Sequence, residues 1–401
     1  MTDADDEAAA VRVAIESADA AAARNALRRI HRPERLAEVA RSVASRAVAE
    51  KALDGIDDDA LLFQVALGAK NPVVGKDAAK KIRGERVLVE LALSTAPPMA
   101  RLVAVKGLTD LDALVTLACA PTDPDVAAAA FGRIDDRNAV ARVAEQASLP
   151  AIRLAAVERV EEGRALATIA KHDADADVRR AALARLESPR LVTEVARTSE
   201  HADVRARAVR NLKDGDAVAD FALGDADEMV RLSAVRTLED QSLLARAAVK
   251  DASWRVRREA VLKLKDRAFV AERAKEDPDY QVREAATRRT RDQGTLRNRA
   301  TLDEAWQVRK AAIERVDSQA VLAKRGRSDD HPAVRLAAVK RAEDAAMLVN
   351  RAAHDDSPEV REAALERLSD PELVARVSRD TNDPAVRAAA RARLERLGSS
   401  S

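Results

Sequence analysis

Cysteine is almost missing from this 401-residue chain. Cys119 stands alone, which excludes an internal disulfide framework and any cysteine-based metal cluster. Aromatics make up 2% of residues, so a thick core built on large rings is excluded and one of Ala, Leu and Val remains. No apolar run approaches the length of a membrane span. Neither sign of charge dominates: 34% of residues are charged but the formal net charge is +1, so any electrostatic message lies in patterning. There is no Gly-rich phosphate loop, no nucleophile elbow and no metal-ligand spacing; the glycines are scattered singly. The acidic start, Met1-Thr2-Asp3-Ala4-Asp5-Asp6-Glu7, is unlike a secretory signal or transit peptide. These absences predict a soluble cytoplasmic protein that is not an enzyme. They predict no cofactor, no metal, no membrane contact and no small-molecule substrate.

What the chain does have is a strict period. The pattern Val-Arg-x-x-Ala-apolar-x-x-apolar recurs every 26 residues, with clear copies starting at Val178, Val204, Val230, Val256, Val282, Val308, Val334, Val360 and Val386. Stepping back in register reaches Ile152, Val126, Ala100, Val74, Val48 and Ala22. With that residue as position 0, position +4 is Ala in all fifteen copies, from Ala26 to Ala390. A fixed period of this length marks a solenoid, in which each unit packs on its neighbours.

The columns resolve two helices per unit. Positions 0, +4, +5 and +8 share one arc at 100° per residue. Position −3 is often a good N-cap, as in Asn71, Asp123, Asp175 and Ser253, and position −2 is often Pro, which suits the first helical turn. Position +10 supplies a second cap, as in Asp110, Asp240 and Ser318, ahead of apolar +14 and Ala at +18. The expected fold is an all-α, right-handed α-solenoid of about fourteen and a half short helix pairs, forming one domain over residues 1–401. Residues 1–20 read as an N-terminal half-repeat cap, with Ala10, Val13 and Ala14 in second-helix columns. Residues 386–397 read as a capping helix with Arg391 on its polar outer side, and 398–401 as a tail.

Position +1 is Arg in eleven copies, and it falls on the buried side of its helix. An unpaired guanidinium there would cost several kcal/mol. Asp173, Asp225, Asp251, Asp277, Asp303, Asp329 and Asp355 at position −5 are candidate partners, which predicts an internal Asp–Arg ladder. An anion-binding row is the rival reading.

The stretch from Asp355 to Leu368, Asp-Asp-Ser-Pro-Glu-Val-Arg-Glu-Ala-Ala-Leu-Glu-Arg-Leu, resembles the HEAT repeat family. The short unit is also similar to the leucine-rich repeat variant, whose second helix is a 3₁₀ turn and whose members carry an iron–sulfur cluster that a lone cysteine cannot hold. The resemblance implies that the Val-Arg helix lines the concave face. HEAT-like families include bilin lyases and deoxyhypusine hydroxylases. The latter use His-Glu pairs, and no such pair exists here; His31, His172, His201, His331 and His354 read as caps or solvated residues.

Both tryptophans and the lone tyrosine share one column: Trp254, Tyr280 and Trp306 occupy position −2 in three consecutive units. Aromatics suit interfaces, and the bland alternative is that each ring covers a neighbouring turn. Thr287 and Thr290 occupy usually apolar positions nearby, among Arg258, Arg283, Arg288, Arg289, Arg297 and Arg299. That polarity predicts a weak spot, where Arg283→Ala costs less stability than Arg361→Ala. Positions +6 and +7 carry a longer basic ridge: Arg210, Arg236, Lys263, Arg288, Arg289, Arg315, Lys340 and Arg341. Three functions follow as expectations. The first is a scaffold binding a protein or peptide partner near Trp254 to Arg315. The second is a nucleic-acid or phosphate-backbone binder using the ridge. The third, on fold analogy alone, is an enzyme of the bilin-lyase type.

Overall fold

A computed structural model of the protein describes residues 3–121 and 123–398. Thirty helices and no strands occupy the described residues, from α1 (Asp3–Glu16) to α30 (Pro384–Gly398). Even-numbered helices begin at position −2 of the repeat and odd-numbered ones from α3 on at position +11, so α1 stands before the first complete pair and α30 after the last. The helices between them are eight to ten residues long, and both members of each pair are α-helical. The likeness to the leucine-rich repeat variant therefore stops at unit length. Two compact units divide the chain, Met1–Val204 and Arg205–Ser401. Within each, first helices pack on first helices and second on second. Ser399–Ser401 of the expected tail lie outside the described residues.

The caps act as the sequence reading requires. Asp123 and Asp175 each accept two amide bonds from the first turn of their helices, and Asp110, Asp136 and Asp240 do the same work for second helices. Every side-chain cap recorded sits in extended backbone, and no described residue has positive φ. Turns of this kind need no left-handed glycine, which accounts for the sparse, unpatterned Gly. Ala at +4 is fully buried in nearly every copy, including Ala52, Ala78, Ala104, Ala286 and Ala338 at 0% exposure. At the N-terminal end the inward residues of α1 are Ala10, Val11 and Ala14; Val13, expected among them, is 47% exposed. Its place one step round the helix from Ala14 turns it outward.

The Asp–Arg ladder is present in both units, and its partners belong to successive repeats. In unit 1, Arg153 forks onto Asp173 through Nε (2.7 Å) and Nη2 (2.9 Å). In unit 2 the same bidentate pairing joins Arg205 to Asp225, Arg231 to Asp251, Arg257 to Asp277, Arg283 to Asp303, Arg309 to Asp329 and Arg335 to Asp355. The remaining nitrogen, Nη1, usually donates to the carbonyls at −5 and −4 of its own unit, as Arg231 does to Asp225 and Ala226. Each Asp also accepts the amide at −3, as Asp251 does from Ser253. One guanidinium thus ties its own inter-helix turn to the next one. Where position −5 lacks a carboxylate, Arg179 turns to Asp203 and Arg361 to Asp383, while the Ser199 and Thr381 hydroxyls donate to the preceding unit's turn. The rival anion-binding row would need these guanidinia free, and they are engaged.

The weak spot takes a different form from the one expected. Thr287 and Thr290 are buried at 0% and 2% exposure in the places of apolar residues. The Thr290 hydroxyl accepts from the Asp292 amide, while the Thr287 hydroxyl has no partner. A buried orphan hydroxyl costs about 1–3 kcal/mol. Thr287→Val keeps the shape and removes the hydroxyl, so it should stabilise unit 2 by about 1 kcal/mol; an unchanged or lower melting temperature would count against the orphan.

The ladder beside these threonines is intact, which reverses the expected ranking of Arg283 and Arg361. Arg283 makes two bonds to buried Asp303 and two more to the Asp277 and Pro278 carbonyls. Arg361 makes the equivalent two carbonyl bonds, to Asp355 and Asp356, but only one carboxylate bond, to the more exposed Asp383, and its Nε is buried without a partner. Arg283→Ala should therefore destabilise by about 1 kcal/mol more than Arg361→Ala, the worth of the one additional charge-assisted hydrogen bond. Paired denaturant titrations of the two variants measure it.

Candidate interaction surface

Each of the three aromatics begins a first helix: Trp254 opens α20 (Trp254–Lys263), Tyr280 opens α22 (Tyr280–Arg289) and Trp306 opens α24 (Trp306–Ile313). These helices lie side by side, packed more closely than the second helices of the same region. Closer packing is expected of the inner layer of a curved stack, where the implied concave face would lie.

The three rings do not share one environment. Trp306 packs against the core of unit 2 and stacks on His331, with ring centroids 3.9 Å apart and planes 3° from parallel. His331 is itself an N-cap, its Nδ1 accepting from the Ala333 amide. Trp306 therefore covers the next unit's turn, the bland alternative for this column. Tyr280 is 37% exposed. Trp254 is half-buried under the Arg255 guanidinium, 4.9 Å from the ring centroid. Two apolar neighbours join them: Met229, which has no sequence signal, and Leu262, which interrupts the solvent-facing +6 column. Met229, in the first turn of α18 (Glu228–Thr237), is 49% exposed, and Leu262, near the end of α20, is 39% exposed. Met229, Trp254 and Tyr280 thus mark one edge of three successive first helices, with Leu262 on the outward side.

The arginines divide as well. Arg258 is exposed on α20. Arg288 is exposed on α22, paired with Glu284 and within 3.7 Å of Glu314. Arg297 and Arg299 sit instead on the second helix α23 (Gln293–Leu302). Arg297 is exposed there, whereas Arg299 donates to Asp303 and the Lys275 carbonyl and so braces the ladder.

The basic ridge separates by column. At +7, Lys263 donates to the Arg236 carbonyl, Arg289 to Val261, Arg315 to Thr290 and Arg341 to Ile313. These acceptors lie at or just past the C-terminus of the preceding unit's first helix, where carbonyls lack helical partners and cations are favoured. Unit 1 uses the same device, with Arg133 on Val105 and Arg185 on Glu158 and Val160. Burial pushes the Lys263 ammonium below its ordinary range. At +6 the cations stay at the surface: Arg210 lies 3.4 Å from the Ser233 hydroxyl, Arg236 is 3.5 Å from Glu259, and Lys340 is exposed. Half of the ridge is thus a clamp between successive repeats, set on helix ends.

No group of His, Cys, Asp and Glu that could hold a metal occurs among the described residues, and no described helix is long and apolar enough to cross a membrane.

No protein-family model and no curated protein matches the chain. Solved structures that resemble it include Kap121p bound to RanGTP, at 13% identity and a TM-score of 0.34, covering 98% of this chain and 56% of that one. Yeast importin-beta (Kap95p) gives 12% identity and a TM-score of 0.24, covering 94% of this chain and 55% of that one. A structure of microtubule polymerases with TOG domain arrays gives 14% identity and a TM-score of 0.17, covering 94% and 91%. This chain spans just over half the length of the first two. The low scores leave every functional statement to this chain's own residues, whose helix pairs are HEAT-like in order and spacing.

Proposed function

We propose that this chain is a non-enzymatic scaffold that binds an extended protein segment across the first helices α18, α20 and α22. The observation that carries the reading is the set of apolar side chains left in solvent there: Met229, Tyr280 and Leu262, with half-buried Trp254 beside them. Helical rise spreads positions −1 to +6 over about 10 Å, and neighbouring helices lie about 8–10 Å apart. Two or three units therefore suit a short peptide. Arg258 and Arg288 flank the apolar residues, which favours a segment mixing apolar and acidic side chains. Trp306 is left out, because His331 and the core already occupy it.

Nucleic-acid binding through the ridge is less well supported. Lys263, Arg289, Arg315 and Arg341 already satisfy carbonyls, so a phosphate backbone would have to compete for them. Affinity capture from the native host, with and without nuclease and over a salt series, separates the readings. A protein partner retained after nuclease and only modestly weakened by salt supports the scaffold. Loss on nuclease treatment with a steep salt slope supports a phosphate backbone.

A further inference from the structure

A second feature lies in unit 1, on the second-helix side. Helices α13 (Gly163–His172) and α15 (Pro189–Thr198) flank an open cleft of about 450 Å³. Its charged lining is Arg164, Lys171, Arg190 and Glu194, three cations to one carboxylate. Lys171 holds Glu194 at 2.9 Å with its own side chain only 16% exposed. Arg164 and Arg190 make no hydrogen bond or ion pair among the described residues. The Lys171 hydrogen bond, followed by its charge and those of Arg190 and Arg164, holds the Glu194 carboxyl below its ordinary range. All three cations are thus felt at one point, and one carboxylate leaves two positive charges unbalanced there.

The start of α15 adds to the imbalance. Several other second helices begin on an Asp that accepts from the first turn, as Asp110 and Asp136 do. Here the N-cap is Ser188, which is exposed and makes no capping bond, followed by Pro189 and Arg190. The positive end of the helix has no carboxylate cap of its own. A comparable cleft between α24 and α26 (Pro332–Val339) also holds three cations, but Lys310 is paired with Glu314 and Arg341 with the Ile313 carbonyl. At α13 and α15, by contrast, two guanidinia stand without an ion pair beside a helix start.

We propose that this cleft binds a phosphoryl dianion, a phosphate monoester or free phosphate. Arg164 and Arg190 supply planar forks for its oxygens, Lys171 a point charge and Ser188 a hydroxyl donor. Guanidinium forks match tetrahedral oxyanions, and charge-assisted bonds are the strong ones. Glu194 then acts as a resident competitor, holding Lys171 until the anion arrives. The site is independent of the peptide surface in unit 2.

The test is calorimetric titration of the full chain at low ionic strength with inorganic phosphate, and with a phosphoserine peptide against its unphosphorylated form. Arg164→Gln/Arg190→Gln should weaken phosphate binding about tenfold or more through the loss of charge-assisted bonds. Glu194→Gln should tighten it several-fold by removing a like charge. All these side chains except Lys171 are substantially exposed, so the variants should melt with the wild type, and thermal scans confirm it. A phosphopeptide that outbinds inorganic phosphate assigns the group to a modified partner; equal binding assigns it to the free ion. Phosphate binding that is absent, unchanged in the arginine variant or weakened by Glu194→Gln overturns the proposal.

Discussion

Asp329→Ala should destabilise unit 2 by about 3 kcal/mol, the low end of the cost of breaking a buried ion pair. Asp329 is 3% exposed and accepts from four donors: Nε and Nη2 of Arg309 (both 2.9 Å), Nη1 of Arg325 (3.2 Å) and the His331 amide (3.0 Å). Removing it leaves the Arg309 guanidinium, itself 6% exposed, with the solvent-facing Asp330 as its remaining carboxylate. Asp329→Asn should cost less, because the amide keeps part of the network. The paired change Arg309→Met/Asp329→Leu should recover most of the loss, since an apolar pair of similar volume often equals or exceeds a buried ion pair. Denaturant titration of the three variants checks the order.

The same pairs set a pH dependence. Burial by itself would raise Asp225, Asp303, Asp329 and Asp355, but hydrogen bonds from the paired arginine and the turn amide outweigh it and hold all four below the ordinary range. A carboxylate whose folded pKa is depressed stabilises fully above its unfolded value of about 3.9. That contribution is lost as pH falls through the lower folded value. The melting temperature should therefore fall steeply below about pH 4, and less steeply in Arg309→Met/Asp329→Leu.

The second large effect concerns binding. Trp254→Ala/Tyr280→Ala should lower partner affinity by a hundredfold or more, since interface aromatics often contribute about 2 kcal/mol or more each. Tyr280 is exposed and Trp254 half-buried, so the double variant should melt close to the wild type. Trp306→Ala makes the internal contrast. It removes the stack on His331 and a ring packed on the core, so it should cost about 3 kcal/mol of stability, within the range for truncating a large aromatic, and leave binding intact where the protein is folded. If Trp306→Ala alone abolished binding without a change in melting, the division of the column would be mistaken.

That division could not be read from the sequence. Period, caps and apolar columns are properties of one unit and its neighbours in register, so the helix pairs were legible from position +4 and from caps such as Asp175. The ladder was legible in composition, because a buried Arg demands an acid. Its connectivity was not: Arg309 takes the carboxylate of Asp329, twenty residues on, and only the carbonyl of Asp303, six residues back. Arg288 and Arg289 look alike in sequence, but one pairs with Glu284 on its own helix while the other reaches the Val261 carbonyl of the preceding repeat. Trp254 and Trp306 share a column, and their fates differ because the next unit offers His331 to one of them. Exposed Met229 carried no signal at its variable −1 position, whereas Leu262 was legible as an apolar interruption of the solvent-facing +6 column.

Site-directed photo-crosslinking tests the proposed surface most directly. A benzoylphenylalanine at Leu262, on the first-helix face, should give a protein adduct in the native host that disappears in the Trp254→Ala/Tyr280→Ala background. The same probe at Leu302, on α23 and 65% exposed, should give none. An adduct formed from Leu302 alone, or one at Leu262 that survives the double substitution, would contradict partner binding on this face.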